Sequence, residues 1–276
     1  HRQMCTYICR FVIPMRKISY TVPPALDGSS VAAVLRSHGF STALLRSLKK
    51  TYGALSRNGC PVRTVDPVHT GDMVAVELNT DGATAPPSAE KAVIVYADRD
   101  ILVVNKRAGM AMYETYNHHG NALSNAVAAA GFDGPFRPIY RLDKDTSGLV
   151  VLARHQLSAA KLAGKVQKDY YAVVPGTYTG SGTVDAPIAH CPDSTVKRQV
   201  DPAGVRAVTH WEALGQQGGR TLLRVQLETG RTHQIRVHFA YLGTPLVGDS
   251  LYGTAPIGAR HLLHCKTIRL MHPVRE

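Results

Sequence analysis

The amino-terminal quarter of the chain carries two short groups of apolar residues at helical spacing. Ser29-Ser30 precedes the first group and Ser41 the second, and serine in this position can cap a helix, while Gly39 separates the groups. Two short helices are therefore predicted, each with one apolar face. The residues expected to face inward are Val31, Val34 and Leu35 in the first helix and Leu44, Leu45 and Leu48 in the second.

Beyond these helices, apolar and polar positions alternate as they do in strands. Asn58-Gly59 lies between two short β-forming runs and predicts a hairpin, and Gly71-Asp72 leads into an alternating strand that ends at Leu78. A polar, proline-rich stretch without aromatic residues follows and is typical of a linker. The predicted organisation is a tail at residues 1–18, a small α/β unit at residues 19–80, a linker at residues 81–90 and a large unit at residues 91–276.

The large unit mixes predicted strands and helices in an irregular order. Val93–Tyr96 and Ile101–Val104 are predicted strands, helical patterns cover residues 120–130 and 157–166, and Lys168–Gly176 enters another strand. A parallel doubly wound sheet requires a steady alternation of strand and helix, which this order lacks. We therefore predict an α+β fold with a largely antiparallel mixed sheet.

The composition predicts a substantial hydrophobic core and a basic surface. The chain has 276 residues, of which 44% are hydrophobic, and 32 Lys and Arg face 20 Asp and Glu. Lys and Arg outnumber Asp and Glu by 10 to 6 over residues 1–90 and by 22 to 14 over residues 91–276. An excess spread over both units favours a polyanionic partner such as a nucleic acid. A membrane partner is not expected, because no apolar run approaches the length of a bilayer span and no long amphipathic basic helix is present.

The cysteines and histidines indicate neither a disulfide framework nor a metal site. Five scattered cysteines are an odd number, which fits a reducing compartment, and Arg10 and Pro14 interrupt any continuous signal-peptide core. We therefore expect a cytoplasmic protein. None of the 13 histidines falls into a metal-ligand pattern. The cysteines are Cys5, Cys9, Cys60, Cys191 and Cys265.

Two polar motifs carry the candidate chemistry. Tyr140–Gly148, with the sequence Tyr-Arg-Leu-Asp-Lys-Asp-Thr-Ser-Gly, is a basic turn that runs into an apolar strand. Thr229–His238, Thr-Gly-Arg-Thr-His-Gln-Ile-Arg-Val-His, ends a run of β-forming residues, and we predict that it continues as a strand. Alternation in such a strand would place Arg236 on a polar face and Ile235 and Val237 on an apolar face behind it.

Together these motifs resemble those of the RluA-type RNA pseudouridine synthases. The resemblance covers nearly all of residues 91–273 and implies a cofactor-free and metal-free isomerisation of uridine in RNA. It implies that Asp143, in Arg-Leu-Asp-x-x-Thr-Ser-Gly, is the nucleophile, attacking either the ribose anomeric carbon or carbon six of the base, and that Arg236 pairs with it. A carboxylate in a dry pocket keeps its charge when a guanidinium lies beside it, so the pairing is physically reasonable.

The resemblance also assigns residues to the target base, which must be flipped out of its stack. Tyr170 would stack on the uracil and bring a hydroxyl near the proton to be removed, as a general base. Arg141 would fill the vacated stack, and Leu263 would close the pocket from its apolar side. The structural alternatives are a core tyrosine, for which Tyr171 is the better candidate, a phosphate contact or ion pair for Arg141, and core packing for Leu263.

The small unit resembles an S4 RNA-binding module, and its alternative is an α/β cap without RNA contact. Three positions depart from the pattern of the pseudouridine synthases: Arg107 replaces a proline, and Tyr113 and Tyr140 stand where histidine is common. These departures change the expected loop chemistry and not the nucleophile. The residues predicted to contact RNA are Arg46, Lys49, Lys50, Arg57, Lys106, Arg107, Lys144, Lys168 and Arg231.

Several alternatives stay open at this point. Asp143 could be a turn aspartate bonded to its own backbone, or could form an acid and base pair with Asp145 in a glycoside hydrolase, although two-residue spacing suits such a pair poorly. A non-catalytic RNA-binding or ribosome-assembly protein on the same fold is the main alternative function. We expect ribosomal RNA, of the large subunit in particular, as the partner, with transfer RNA as the second choice, and a monomeric protein.

Overall fold

The structure, a computed structural model, describes residues 16–78, 83–114 and 120–274. Most of the predicted tail, including Cys5 and Cys9, and the start of the predicted linker lie outside the described residues. The helices are α1 Val31–Ser37, α2 Thr42–Leu48, α3 Leu123–Ala129, α4 Gln156–Leu162 and α5 Gln234–Tyr241. The strands are β1 Arg16–Thr21, β2 Leu55–Arg57, β3 Cys60–Pro61, β4 Met73–Leu78, β5 Val93–Ala97, β6 Ile101–Lys106, β7 Ser147–Ala153, β8 Gln167–Pro175, β9 Ser181–Asp185, β10 Ile188–His190, β11 Arg198–Val200, β12 Val208–Gln217, β13 Arg220–Leu227 and β14 Leu263–Arg269.

The small unit forms a four-stranded antiparallel sheet, in the order β1-β4-β2-β3, with α1 and α2 packed on it. Both predicted helix caps are confirmed, because the Ser30 side chain accepts from the Ala33 amide at 3.3 Å and that of Ser41 from the Leu44 amide at 3.2 Å. The predicted hairpin joins β2 to β3. Since β1 begins at Arg16, residues 16–18 belong to this sheet and not to the tail to which we assigned them.

The large unit is built on an eight-stranded sheet in the order β5-β6-β7-β14-β8-β13-β12-β9. Within the described residues, β7 and β14 are its one parallel pair, which confirms the predicted α+β class with a largely antiparallel mixed sheet. Each predicted strand of this unit up to residue 176 is present, and its two predicted helices are present but shorter. A separate two-stranded ribbon of β10 and β11 packs near α5.

Gly148 allows the parallel pairing of β7 with β14. Its φ is +121°, and a Cβ there would lie 2.3 Å from the carbonyl oxygen of Cys265. A larger residue could therefore not occupy this crossing without displacing the backbone. The glycine of the Thr-Ser-Gly motif thus brings β14, with Leu263, beside the turn that carries Asp143.

The predicted strand over residues 231–238 is wrong, because α5 begins at Gln234. The Gln234 side chain accepts from the Arg231 amide at 3.0 Å and from the Thr229 hydroxyl at 2.8 Å, which ends the extended chain and starts the helix. Six successive residues from Gln234 to Phe239 are buried. A helix buried on all sides has no amphipathic period, so its β-branched Ile235 and Val237 misleadingly favoured a strand.

Contacts between the small and the large unit involve β1 and α4. Leu157 of α4 is fully buried and packs within the apolar core of the small unit. The guanidinium of Arg16 donates to both carboxylate oxygens of the buried Asp100, at 2.8 and 3.1 Å. The two predicted units are therefore joined by an apolar contact and a buried ion pair.

Candidate active site

A cleft of about 690 Å³ opens on the large unit where the two polar motifs meet. The segment 138–146 forms one wall, the turn before α5 forms another, and side chains of β8 and β14 also line it. Motifs far apart in sequence are thus brought to one site. The predicted residues that line the cleft are Arg141, Asp143, Lys144, Lys168, Tyr170, Arg231, Arg236 and Leu263.

The carboxylate of Asp143 faces this cleft from the turn that precedes β7. Its backbone carbonyl accepts from the Thr146 amide at 3.1 Å, which closes the turn. Its side chain, 26% exposed, accepts from Arg236 Nη1 at 3.2 Å. Within the described part of the chain, the carboxylate accepts no hydrogen bond from the backbone of its own turn. This geometry disfavours the turn-aspartate alternative, because the carboxylate serves Arg236 and the cleft.

Arg236 is itself fixed by a second carboxylate. Its Nε and Nη2 donate to the two oxygens of Asp249, at 2.7 and 2.9 Å, and Asp249 also accepts from the amides of Leu251 and Tyr252 at 3.0 Å each. Burial alone would lower the pKa of Arg236, but Asp249 and Asp143 raise it above its ordinary value. Burial likewise opposes ionisation of Asp249, but Arg236 lowers the pKa of that carboxyl. A permanent charge is therefore aimed at Asp143 by a rigid bidentate pair.

His233 and Tyr252 complete the surroundings of Asp143, and sequence reasoning gave neither a role. His233 has a left-handed backbone, with φ 58°, and its Nε2 lies 3.9 Å from the Asp143 carboxylate. Its Nδ1 bonds the Tyr252 hydroxyl at 2.9 Å, and that hydroxyl accepts from the Arg198 amide at 3.0 Å. Burial lowers the pKa of His233. The left-handed geometry directs the imidazole into the cleft and could not be foreseen from a strand.

Tyr170 lies on β8, is 6% exposed and lines the cleft. Burial raises its pKa well above the ordinary value, so the phenol is neutral at neutral pH. Tyr171, which we favoured as the core residue, is only partly buried. Tyr170, and not Tyr171, is therefore the more buried of the two, and Tyr170 also lines the cleft. Leu263 on β14 is buried at 5% exposure and lines the same cleft.

Lys106 is fully buried, which contradicts its predicted contact with RNA. The end of β6 turns its side chain inward, where Nζ donates to the carbonyls of Arg107 at 3.1 Å, Met110 at 2.8 Å and Lys144 at 2.8 Å. Burial lowers the pKa of Lys106 to about 8. This lysine therefore holds the turn after Asp143 from beneath instead of binding a phosphate.

The other predicted RNA contacts differ in how available their charges are. Arg141, Lys144 and Arg231 are exposed at the cleft. Lys168 is half-buried, with its ammonium 4.5 Å from the centre of the Tyr140 ring. Arg107 is exposed but pairs with Glu90, and Arg57 is half-buried and donates to a backbone carbonyl at 2.6 Å. Exposed on the small unit, at the end of α2, are Arg46, Lys49 and Lys50.

Two histidine contacts hold the start of β7. Thr146 bonds His261 Nε2 at 2.8 Å, and Ser147 bonds His264 Nδ1 at 2.8 Å while accepting from Arg260 at 2.7 Å. Burial lowers the pKa of His261 to about 4, so its imidazole is neutral at neutral pH. The turn of the first motif is thus fixed on both sides.

One cluster of potential metal ligands lies apart from the cleft, among Asp98, Asp100 and His272. Its oxygen atoms already accept hydrogen bonds: Asp100 from Arg16 and His155, and Asp98 from His272 at 2.9 Å. These cations and donors satisfy the carboxylates. The cluster is therefore an ion-pair network that joins the two units.

Comparison with known proteins identifies the family. Residues 100–241, which contain both polar motifs, match the family model described as RNA pseudouridylate synthase. The chain belongs to the RNA pseudouridylate synthase family. It is 37% identical, over 251 residues, to the uncharacterized RNA pseudouridine synthase YjbO of Bacillus subtilis, with 86% of this chain and 89% of that protein covered. As a member of this family the chain is an RNA pseudouridine synthase, an isomerase.

Other family members support this placement. The ribosomal large subunit pseudouridine synthase D of Xylella fastidiosa is 35% identical over 285 residues, covering 92% of this chain and 85% of that protein. The structure of human RNA pseudouridylate synthase domain containing 1 superimposes with a TM-score of 0.57 at 27% identity, covering 68% of this chain and 81% of that one. Every helix among the described residues of this family member is too short or too polar to span a membrane.

Proposed function

We propose that this pseudouridine synthase acts on ribosomal RNA, in particular that of the large subunit, with Asp143 as its nucleophile. The geometry of Asp143 is the observation that carries the proposal: a partly exposed carboxylate at the wall of a 690 Å³ cleft, held by the buried guanidinium of Arg236. The similarity to a ribosomal large subunit synthase over most of both chains supports the choice of RNA. Free Cys60, Cys191 and Cys265 support a reducing compartment, the cytoplasm.

The carboxylate of Asp143 forms a covalent bond either to the ribose anomeric carbon or to carbon six of the uracil. On the first route, bonding of the carboxylate to the anomeric carbon displaces the base nitrogen from the ribose; on the second, the bond between the base nitrogen and the ribose breaks after the carboxylate has added to carbon six. The uracil then turns within the cleft, carbon five bonds to the anomeric carbon, and the bond to Asp143 breaks, which restores the free carboxylate. Carbon five loses its proton and the base nitrogen gains one, so the exchange is an isomerisation. Arg236 keeps the carboxylate of Asp143 oriented through both halves of this exchange. Because Asp249 occupies two donors of Arg236, the guanidinium cannot rotate away when the aspartate leaves.

Arg141, Tyr170 and Leu263 are placed to receive a flipped base. Arg141 is exposed at the mouth, where its planar guanidinium can replace the uracil in the RNA stack. Tyr170 and Leu263 present an aromatic and an apolar surface inside the cleft. The raised pKa of Tyr170 favours the stacking role over the general-base role, because a base must first lose its own proton.

Mapping pseudouridine in total RNA by carbodiimide chemistry tests this proposal. Wild-type protein should introduce pseudouridine into large-subunit ribosomal RNA, and Asp143→Ala and Asp143→Asn should introduce none while they still bind RNA. Asp145→Ala is the matched control, since it removes the neighbouring carboxylate from the same turn, and it should retain product formation. Product in transfer RNA alone would contradict the substrate assignment. Pseudouridine made by Asp143→Ala would contradict the assignment of Asp143 as the nucleophile. No pseudouridine from the wild type or from any variant would favour the assembly-factor alternative.

A further inference from the structure

A second cleft, of about 570 Å³, lies on the small unit between the end of α2 and the β2–β3 hairpin. Its floor is apolar, with Leu48 and Leu55 at 5% and 4% exposure. Tyr52, Val62 and Val65 form its sides. The cleft has the size of a small-ligand site, roughly 300–1,000 Å³. We call it the Tyr52 groove.

Tyr52 is 96% exposed and packs on nothing in the described structure. Gly53, with φ +78°, follows it and turns the chain back toward β2, so the ring is carried on a tight bend at the edge of the groove. Val65, on the opposite side, is 66% exposed. An aromatic ring beside an apolar floor offers a large contact area with a polar tip, which is the usual form of a binding surface.

The groove lies in a unit with an excess of positive charge. Residues 16–78 contain eight Lys and Arg and four Asp and Glu. Each of the four acids is already paired: Asp27 with His69, Asp66 with Arg63, Asp72 with Arg57 and Glu77 with Lys17. Within the described residues no carboxylate pairs with Lys49, which lines the groove, or with its neighbours Arg46, one turn earlier on α2, and Lys50. The free charge next to the ring is therefore cationic.

We propose that the Tyr52 groove binds an unpaired nucleotide of the substrate RNA, with the base stacked on Tyr52 and a phosphate held by Lys49 and Arg46. The chemistry of the groove matches that of single-stranded RNA sites, which combine an aromatic platform with cations along the backbone. An unpaired nucleotide satisfies both features at once, whereas an apolar peptide would leave the cations unused. The site rests on the proposed action on RNA and lies on a different unit from Asp143, so it anchors RNA without taking part in the chemistry.

Binding of a short fluorescein-labelled oligouridylate to the full chain, followed by fluorescence anisotropy, tests the groove. Tyr52→Ala should raise Kd by about tenfold, since one base stack is lost, and Tyr52→Phe should bind like the wild type. An abasic oligomer of the same length should bind more weakly and should not distinguish Tyr52→Ala from the wild type. Lys49→Ala should weaken both oligomers alike and reduce the salt dependence of binding. Tyr241→Ala, which removes another exposed tyrosine outside the groove, is the control and should leave Kd unchanged.

Equal affinity of Tyr52→Ala and wild type for the oligouridylate would overturn the proposal and would favour a protein partner for the groove. Because Tyr52 is nearly fully exposed, its substitution should leave the thermal midpoint unchanged, so a loss of binding reflects the lost ring. The readout does not need catalysis. Binding that depends on Tyr52 without pseudouridine formation would count against the proposed function alone, and pseudouridine formation with unchanged binding would count against the groove alone.

Discussion

The Nζ of Lys106 donates a hydrogen bond of 2.8 Å to the carbonyl of Lys144, so a buried ammonium lies directly beneath the turn that carries Asp143. The same ammonium also satisfies the carbonyls of Arg107 and Met110. One cation thus ties the end of β6 to the first polar motif. Lys106 is a positioning residue, because it acts on the nucleophile only through the backbone of this turn.

Lys106→Met should lower both stability and turnover. The substitution keeps the apolar stem but leaves three carbonyls without their donor, and we expect the free energy of unfolding to fall by about 2–4 kcal/mol. The rate constant for product formation in single-turnover assays should fall more than the affinity for RNA, since the turn bearing Asp143 loses its support. Urea denaturation measures the first effect. Lys91→Met, at an exposed lysine, should stay within about 0.5 kcal/mol of the wild type. A variant as stable as the wild type would show that burying the charge costs as much as its hydrogen bonds contribute.

The pairing of Asp143 with Arg236 was predicted from the resemblance to the RluA-type synthases, because the two residues lie 93 positions apart and no local pattern joins them. The helices and the hairpin of the small unit were predicted from the residues themselves, since serine caps and an Asn-Gly turn act within a few residues. These features of the small unit depend on short-range physics, which the sequence displays directly.

What sequence reasoning missed depends on the folded surroundings. Lys106 is buried because its side chain lies on the face of β6 that contacts the turn at Lys144. These two segments are distant in the chain, so no local pattern shows the contact. The helix that carries Arg236 has no polar face, so no period revealed it. The roles of His233 and Asp249 likewise arise only when the chain before α5 and the loop after it close around one guanidinium.

Arg236→Lys should abolish most of the activity. A single ammonium cannot hold both oxygens of Asp249 and also reach Asp143, so the nucleophile loses its fixed partner. We expect kcat to fall by about a hundredfold or more with little change in KM, and stability to fall by about 3 kcal/mol, because a buried carboxylate loses its pair. Pseudouridine release assays and urea denaturation measure the two effects. Arg231→Lys, an exposed arginine at the same cleft, is the control and should keep kcat within a few-fold of the wild type. An unchanged kcat in Arg236→Lys would show that charge alone, without the fork geometry, is sufficient.

Gly148→Ala should destabilise the large unit strongly. The new Cβ would lie 2.3 Å from the Cys265 carbonyl oxygen in a backbone with φ +121°, so β7 and β14 would have to separate. We expect a loss of at least about 3 kcal/mol in the free energy of unfolding, measured by urea denaturation. Gly215→Ala is the matched control, because a Cβ there meets open space at an ordinary φ, and its effect should stay below about 1 kcal/mol. A mild effect at Gly148 would mean that the parallel pair can widen without cost.

His261 should make the protein sensitive to acid. Its pKa in the folded chain is about 4, below the ordinary value of 6.5, because burial beside Thr146 disfavours the imidazolium. The unfolded chain therefore binds a proton that the folded chain refuses, and stability falls as the pH drops from about 6.5 to about 4. Above that window the imidazole is neutral in both states and this cost is absent. The maximum loss from this residue is about 3 kcal/mol.

Comparison of wild type with His261→Gln isolates this contribution. Other buried histidines, such as His238, also have lowered pKa values and add to the acid sensitivity of both proteins, so the difference between the two curves is the informative quantity. Urea denaturation between pH 4 and 7 should show the wild type losing stability relative to the variant as the pH falls. His190→Gln, at an exposed position, should follow the wild-type curve throughout. Parallel curves for wild type and His261→Gln would mean that the imidazole accepts its proton in the folded state. In that case Thr146 and the turn after Asp143 would tolerate a charged neighbour.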